Sequence, residues 1–113
     1  MSEKITLSHG SGGRQAQKLI RDHFIPRFGM NGPMTDSAIL SAPSWAIAFT
    51  TDSYVIDPLF FPGGNIGKLA VCGTVNDLSV SGAAPKYLSA AFIIEEGFDM
   101  DELDEIVASM ADE

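Results

Sequence analysis

The spacing of apolar residues predicts a helix near each end of this chain. Near the C-terminus, four apolar residues between positions 103 and 110 share one helical face, and Asp99 with Glu102 fits a capping-box start. After Gly13, apolar residues on one side and polar residues on the other predict an amphipathic helix. Pro26 is expected to end or kink this helix, because proline lacks the N–H that an interior turn requires.

A third helix is predicted over 66–81. Asn65 is a suitable N-cap residue, and Gly82 followed by Pro85 is a typical stop signal. Apolar and small residues occupy nearly every side of this helix, so we expect it to be buried. Asp77 lies in the middle of these residues, and a buried carboxylate is unfavourable unless a metal ion or hydrogen-bond donors pair with it. Asp77 is therefore the first candidate for a functional side chain.

Shorter apolar stretches predict the strands. They cover 5–9, 36–40, 46–50 and 86–95, with a turn at 42–44 and a brief extended piece at 54–58. The predicted order is β-α-β-β-α-β-α. This order favours an α+β domain in which helices pack on one face of a mostly antiparallel sheet.

Composition limits the class of protein. The chain has 113 residues, of which 45% are hydrophobic and 19% charged, as expected for one globular domain. Its apolar runs are too short to span a bilayer, and no apolar signal region follows the N-terminus. The single cysteine, Cys72, has no internal disulfide partner, which favours the reducing cytoplasm.

Charge is unevenly distributed along the chain. Residues 1–34 carry a net +3, residues 35–94 a net −2 and residues 95–113 a net −9. The acidic end argues against a nucleic-acid surface, because phosphate contacts need Lys and Arg. We interpret it as a solvated helix face, with a partner-docking patch as the alternative. A last helix without a C-cap glycine suggests that the chain is part of a longer protein.

A glycine-rich loop, Gly10-Ser11-Gly12-Gly13, directly precedes the first long helix. Backbone N–H groups at a helix start bind anions, and glycines let a phosphate approach closely. The loop lacks the G-K-[ST] ending of a Walker sequence. It is interpreted either as a phosphate-binding loop or as a plain turn, and Arg14 either reaches the phosphate or lies on the exposed helix face.

Three aspartates are candidate metal ligands: Asp36, Asp52 and Asp77. Mg²⁺ is a hard ion that binds carboxylates together with substrate phosphate oxygens. Three carboxylates near one phosphate site would suit a bridging Mg²⁺. The structural alternatives are a strand-start turn for Asp36 and an Asx turn for Asp52, whereas Asp77 is the hardest of the three to explain without a ligand.

Two further polar groups have both a functional and a structural interpretation. Lys68, with Asn65 and Gly67 at a helix start, is a phosphate contact or a surface side chain. Asn76, beside Asp77, orients a ligand or pairs with a neighbouring carbonyl.

The remaining reactive residue types are predicted to be structural. Cys72 is interpreted as a small buried residue, since no basic residue stands near it in sequence, and His9 and His23 as structural histidines. The aromatic loop at Phe60 and Phe61 either covers the core or contacts another subunit.

Three stretches resemble one known family closely. They are H-G-S-G-G-R at 9–14, the run from T-T-D-S-Y-V at 50–55 to G-A-A-P-K-Y-L-S at 82–89, and I-I-E-E-G at 93–97. These residues resemble the HypE family of hydrogenase maturation factors, the carbamoyl dehydratases. That family is part of the aminoimidazole ribonucleotide synthetase (PurM-like) superfamily. The resemblance covers nearly the whole chain and is strongest over 7–24 and 49–97.

The resemblance implies a fold and a set of site residues. It implies a PurM N-terminal-like ATP-binding and dimerisation domain over 1–113, whose sheet pairs with that of a second subunit in a barrel-like core. ATP and Mg²⁺ are expected near that core. Asp77 is the expected catalytic residue, and the expected metal ligands are Asp36, Asp52 and Asp77. The expected ATP-binding residues are Gly10, Ser11, Gly12, Gly13, Asp52, Lys68 and Asn76.

The resemblance also implies a reaction and its partners. A carbamoyltransferase, HypF, loads a carbamoyl group onto a C-terminal cysteine, and ATP-dependent dehydration converts it to a thiocyanate. The cyanide then passes to iron on a HypC–HypD scaffold for [NiFe]-hydrogenase. We expect a cytoplasmic homodimer that contacts neither nucleic acid nor membrane.

The chain departs from this family in one important respect. Family members run to about three times this length and carry the reactive cysteine at their C-terminus. This chain has no terminal cysteine, its Cys72 is internal, and the family's second domain is absent. We expect an N-terminal domain that is inactive alone.

Two alternative functions remain at this stage. The first is a dimerisation and partner-docking module without activity of its own. The second is a phosphotransferase similar to selenophosphate synthetase, but no Cys or Lys stands in the glycine-rich segment before Arg14 to act as its nucleophile.

Overall fold

The structure, a computed structural model, describes residues 3–43 and 45–113. Its elements, in chain order, are a 3-10 turn (Leu7–Gly10), α1 (Arg14–Leu19), a π-helical stretch (Ile20–Phe24), α2 (Ile25–Phe28), β1 (Phe60–Phe61), β2 (Gly64–Asn65), α3 (Ile66–Val80) and α4 (Met100–Asp112). The predicted turn at 42–44 includes Ser44, which lies outside the described residues.

The hydrophobic core is built around α4. Leu103 and Val107 are only 2% and 0% exposed, and they pack with Ile5, Leu19 and Met100. Further along the same helix face, Ile106 and Met110 meet Val71 of α3. The predicted apolar face of the last helix is therefore confirmed. Its Asp99 N-cap is confirmed too, since the carboxylate accepts a hydrogen bond from the Asp101 N–H at 2.9 Å.

Helices α3 and α4 approach each other closely at Gly67. A Cβ built on this glycine would lie 2.5 Å from the Ile106 carbonyl oxygen, so only glycine permits this contact. Asn65 fixes the start of α3, because its Oδ1 accepts from the N–H groups of Gly67 and Lys68 at 2.8 and 3.2 Å. Its Nδ2 donates to Ser109 Oγ at 2.7 Å and ties α3 to α4. The predicted N-cap role of Asn65 is confirmed.

The expectation that α3 is buried on every side is wrong. Within the helix only Gly67 and Val71 are buried, and Val80 at its end is 89% exposed. The physical reason is that α4 covers one side of α3 around Gly67. Val75 still packs against this core, whereas the residues from 76 to the end of the helix lie outside it.

Helical structure continues past Pro26 instead of ending there. The π-helical stretch Ile20–Phe24 follows α1 and leads directly into α2, which contains Pro26 and is capped by Gly29 with a φ of 63°. Proline cannot donate to the carbonyl one turn earlier, and the wider π turn accommodates this missing hydrogen bond.

The predicted strands are mostly extended chain without a partner. In the described part of the chain, 36–40, 46–50 and 86–95 form no strand pairing, and the sheet is the antiparallel pair β1–β2. The first predicted strand pairs only briefly: Ile5 N–H donates to the Phe98 carbonyl at 2.7 Å, and the chain then turns at Leu7. A strand needs a neighbouring strand to accept and donate its hydrogen bonds, and the residues that the structure describes do not supply one for these segments.

The aromatic loop packs inward. Phe60 is half-buried against the cluster of Val71, Ile106 and Met110. Strand β1 pairs with β2 through Phe60 opposite Asn65 and Phe61 opposite Gly64. The core-covering interpretation of this loop therefore describes this chain. Among the helices of residues 3–43 and 45–113, none is both long and apolar enough to cross a membrane.

Candidate functional site

Two of the predicted aspartates come together on one side of α3. The side chains of Asp52 and Asp77 lie close enough to interact, although 25 positions separate them in the sequence. Tyr54 fixes this arrangement, because its hydroxyl lies against Gly73 in the place that a Cβ would occupy. Gly73 and Asp77 are one helical turn apart, so they share a face of α3. The segment 52–54 thus follows this face and delivers Asp52 to Asp77.

Sequence reasoning missed the role of Tyr54 and Gly73. A glycine four residues before a candidate aspartate, inside a helix, was the available signal. Glycine is unfavourable in a helix interior relative to alanine, so a packing reason is expected for it. The packed phenol ring is that reason.

The carboxylate pair is electrostatically strained. The hydrogen bond with Asp77 raises the pKa of Asp52, and partial desolvation and the negative charge of Asp77 raise it further. Two adjacent carboxylates repel when both are ionised, and a shared proton or a bound cation relieves that repulsion. The pair therefore offers hard oxygen ligands where positive charge is favoured, and these donors fit Mg²⁺.

The premise that Asp77 is buried is wrong. Asp77 and its neighbour Asn76 are exposed in this structure. They lie on the side of α3 that the core does not cover, so burial does not account for an aspartate at position 77. Its case as a functional residue depends instead on its interaction with Asp52.

The third carboxylate does not join the pair. Among residues 3–43 and 45–113, no group of three or more His, Cys, Asp or Glu side chains is placed to hold a metal ion. Asp36 is exposed, as is every residue from 29 to 42. The predicted three-aspartate cluster is thus reduced to two within this chain. The physical reason is that the 36–40 segment has no strand partner to place it beside α3.

Lys68 lies far from the aspartate pair. It precedes Asp77 by nine residues, which is about 13 Å along the helix axis and two and a half turns, so it faces the opposite side. Its Nζ donates to the Gly63 carbonyl at 3.2 Å and lies 3.9 Å from a Glu113 carboxylate oxygen. Asn65 already accepts from two amides at this helix start. The geometry thus favours the structural interpretation of Lys68 and Asn65.

The glycine-rich loop is open to solvent. Gly10, Ser11, Gly12 and Gly13 are all exposed, and they connect the 3-10 turn to α1. Gly12 has a φ of 81°, a left-handed conformation that favours glycine. Gly13 is the N-cap of α1 and has no side chain that could accept from the first amides of the helix. These amides are therefore accessible to an anion.

Cys72 was predicted to be a small buried residue, and in the structure it is half-buried. Its thiol donates to a Glu113 carboxylate oxygen at 3.6 Å. Burial and the negative charge of Glu113 raise the pKa of this thiol, which lowers the fraction present as the reactive thiolate.

The comparison with family models agrees with this fold. Residues 34–113 match the family model described as AIR synthase related protein, N-terminal domain. The match begins in the exposed segment before Asp36 and includes Asp52, Asp77 and α4.

Individual relatives are similar over nearly the whole chain. Carbamoyl dehydratase HypE of Escherichia coli K12 is 54% identical, over 96% of this chain and 34% of that protein. Carbamoyl dehydratase HypE of Rhodobacter capsulatus is 53% identical, over 98% of this chain and 34% of that protein. The chain therefore spans about a third of the length of these relatives.

Solved structures give the same relationship. The crystal structure of hydrogenase maturation protein HypE in complex with ATP superposes with a TM-score of 0.87 at 51% identity, over 95% of this chain and 32% of that one. The crystal structure of E. coli HypE superposes with a TM-score of 0.78 at 53% identity, over 85% of this chain and 32% of that one. The chain thus belongs to the AIR synthase related family, by a match to its N-terminal domain.

Proposed function

We propose that this chain is the ATP-binding N-terminal domain of a carbamoyl dehydratase that serves hydrogenase maturation. The observation that carries the proposal is the contact between Asp52 and Asp77, in a chain about half identical to carbamoyl dehydratases. The similarity to a HypE structure that contains ATP supports a nucleotide as the ligand. In the proposed whole protein, the reacting cysteine belongs to the part that this chain does not include.

The proposed reaction removes water from an S-carbamoyl group. The carbamoyl oxygen takes the γ-phosphoryl group of ATP and releases ADP. The C–O bond then breaks and the phosphate leaves. Because the nitrogen also loses both of its protons, the product is an S-cyanate. An amide oxygen is a poor leaving group and a phosphate is a good one, so phosphorylation makes the elimination feasible.

Each group of the proposed site has a separate task. Asp52 and Asp77 would hold Mg²⁺, which would supply positive charge to the phosphate oxygens. The loop Gly10–Gly13 would donate backbone N–H groups to the phosphates. Asn76, exposed beside Asp77, is an additional candidate for contact with the nucleotide. Asp36 and Lys68 remain secondary candidates, because this chain alone does not bring them to the pair.

The experiment compares aspartate variants by calorimetry on the full encoded protein. We expect Asp52→Asn and Asp77→Asn each to weaken ATP binding about tenfold or more in the presence of Mg²⁺, and much less in its absence. Asp112→Asn is the matched control, since Asp112 is exposed at the end of α4. Unchanged affinity and unchanged turnover in both site variants would refute the metal assignment.

A second candidate function is a dimerisation and partner-docking module. The specific observation in its favour is the exposure of apolar side chains on the extended segments, including 97% for Ile39 and 85% for Phe49. A homodimer joined through these segments would cover them, and HypF and the HypC–HypD complex are the proposed further partners. Light scattering that finds a stable dimer, together with calorimetry that finds no ATP binding, would favour this module over the enzyme.

A further inference from the structure

A buried histidine holds the chain where it enters the glycine-rich loop. His9 is 9% exposed and is the last residue before Gly10. Its Nδ1 accepts the Thr6 N–H at 2.9 Å and lies 3.1 Å from Thr6 Oγ1. In addition, the His9 N–H donates to the Thr6 carbonyl at 3.0 Å. The side chain of His9 thus hydrogen-bonds back to Thr6 at the start of the turn, as the Glu or Gln of a capping box does.

The hydrogen bond from Thr6 makes His9 Nδ1 an acceptor. A backbone N–H can only donate, so Nδ1 must carry a lone pair and the ring proton must be on Nε2. The other histidine has the opposite requirement, because His23 Nδ1 donates to Asp104 Oδ1 at 2.6 Å.

We propose that His9 is a positioning residue for the glycine-rich loop, and this inference rests on the proposed binding of ATP phosphates by that loop. Gly10, Gly12 and Gly13 have no side chains with which to anchor themselves, and glycine loses more conformational freedom on ordering than other residues. Their placement depends on the elements at either end, which are α1 and the turn closed by His9. A loop that is already ordered binds its ligand with less loss of entropy.

Charged and titratable groups from several elements face His9. Glu3 lies 3.9 Å from His9 Nε2, on the segment that precedes the turn. Lys18 of α1 and His23 of the π-helical stretch line the same small cavity, together with Met100 of α4. His23 is itself paired with Asp104. A variant that changes only His9 therefore separates its contribution from that of His23.

The test uses His9→Asn and His9→Ala in the full encoded protein. Asparagine places Oδ1 as many bonds from the backbone as Nδ1 of histidine and so keeps an acceptor, whereas alanine removes it. We expect His9→Ala to weaken MgATP binding about fivefold, and His9→Asn to retain wild-type affinity at neutral pH.

Amide hydrogen exchange without nucleotide provides the independent readout. In His9→Ala, exchange should accelerate at Thr6 and across 10–13, and His9→Asn should restore protection. Unchanged exchange in His9→Ala would overturn the proposal. Accelerated exchange across 10–13 in His9→Asn, which keeps the acceptor, would also overturn it, and this result needs no folded alanine variant. Wild-type protein that binds no MgATP would overturn the proposed function and the phosphate role of the loop, while exchange would still report whether His9 orders it.

Discussion

Helix α4 and the extended segments 36–40, 46–56 and 86–95 carry similar apolar residues but place them very differently. Leu103 and Val107 of α4 are almost completely buried, whereas Ile39 and Val55 are 97% and 99% exposed. A helix satisfies its backbone hydrogen bonds internally and needs only a surface to cover its apolar face. An extended segment needs a neighbouring strand as well, and these segments find none within the described residues.

The 92–94 stretch shows the difference most clearly. Phe92 and Ile94 are half-buried against the core, and Phe92 stacks on Phe24 at 4.8 Å between ring centroids. Ile93, between them, is fully exposed. Alternate residues of an extended chain face opposite sides, so one side of this segment is covered and the other is apolar and bare. A second apolar layer is what such a segment requires.

The largest expected effect is the difference in stability between a substitution in α4 and one in an extended segment. Leu103→Ala should lower the free energy of unfolding by about 2–5 kcal/mol, because it leaves a cavity in the core. Ile39→Ala, its matched control in an extended segment, should change this free energy by less than about 0.5 kcal/mol in the monomer. Denaturant unfolding measures both.

The same pair of variants sharpens the comparison at higher protein concentration. If a second copy covers the extended segments, the effect of Ile39→Ala should grow with concentration, since association stabilises the folded state. An Ile39→Ala effect as large as that of Leu103→Ala at every concentration would contradict the difference between the regions.

The next effect tests the close contact between α3 and α4. Gly67→Ala should lower the free energy of unfolding by about 1–3 kcal/mol, because its Cβ would meet the Ile106 carbonyl. At Gly10, by contrast, a Cβ would meet no atom within 4 Å. Gly10→Ala should therefore change this free energy by less than about 0.5 kcal/mol. Equal effects in thermal or denaturant unfolding would argue against the packing at Gly67.

The sequence predicted those elements whose signals are local. The Asn65 and Asp99 caps, the apolar face of α4 and the stop at Gly82 all depend on neighbouring residues, and the structure has them in place. The strands depend on partners distant in sequence or outside this chain, so their alternating pattern was not sufficient. For the same reason, the apolar composition of α3 did not predict which of its sides is covered.

The candidate site was predictable only in part. Asp52 and Asp77 were identified as residues with shared chemistry, and the structure brings them into contact. The argument from burial was wrong, because it assumed that the small residues around Asp77 face the core. Asp36 was grouped with them by residue type, and nothing in its own segment specifies where that segment lies.

The smallest expected effect concerns pH. Because the pKa of Asp52 is raised on folding, the folded state binds its proton more tightly than the unfolded state does. That contribution to stability is fully present when the pH is below the ordinary pKa of an aspartate, and it is lost as the pH rises through the raised pKa of Asp52. Asp52→Asn should therefore gain thermal stability relative to wild type between acid and neutral pH.

Two further measurements check this pH effect. Added Mg²⁺ should reduce the gain, since a cation relieves the same repulsion. Asp112→Asn should show no such gain across the same pH series of melting curves. If the thermal stability of Asp52→Asn relative to wild type fell as pH rises, that result would contradict repulsion between the two carboxylates.

The most direct test is a crystal structure of the full encoded protein with ATP and Mn²⁺, a cation whose anomalous signal can be located. The account predicts a peak bonded to carboxylate oxygens of both Asp52 and Asp77 and to phosphate oxygens of the nucleotide. Bound nucleotide with the cation held elsewhere, and with these two side chains in contact only with each other, would contradict it.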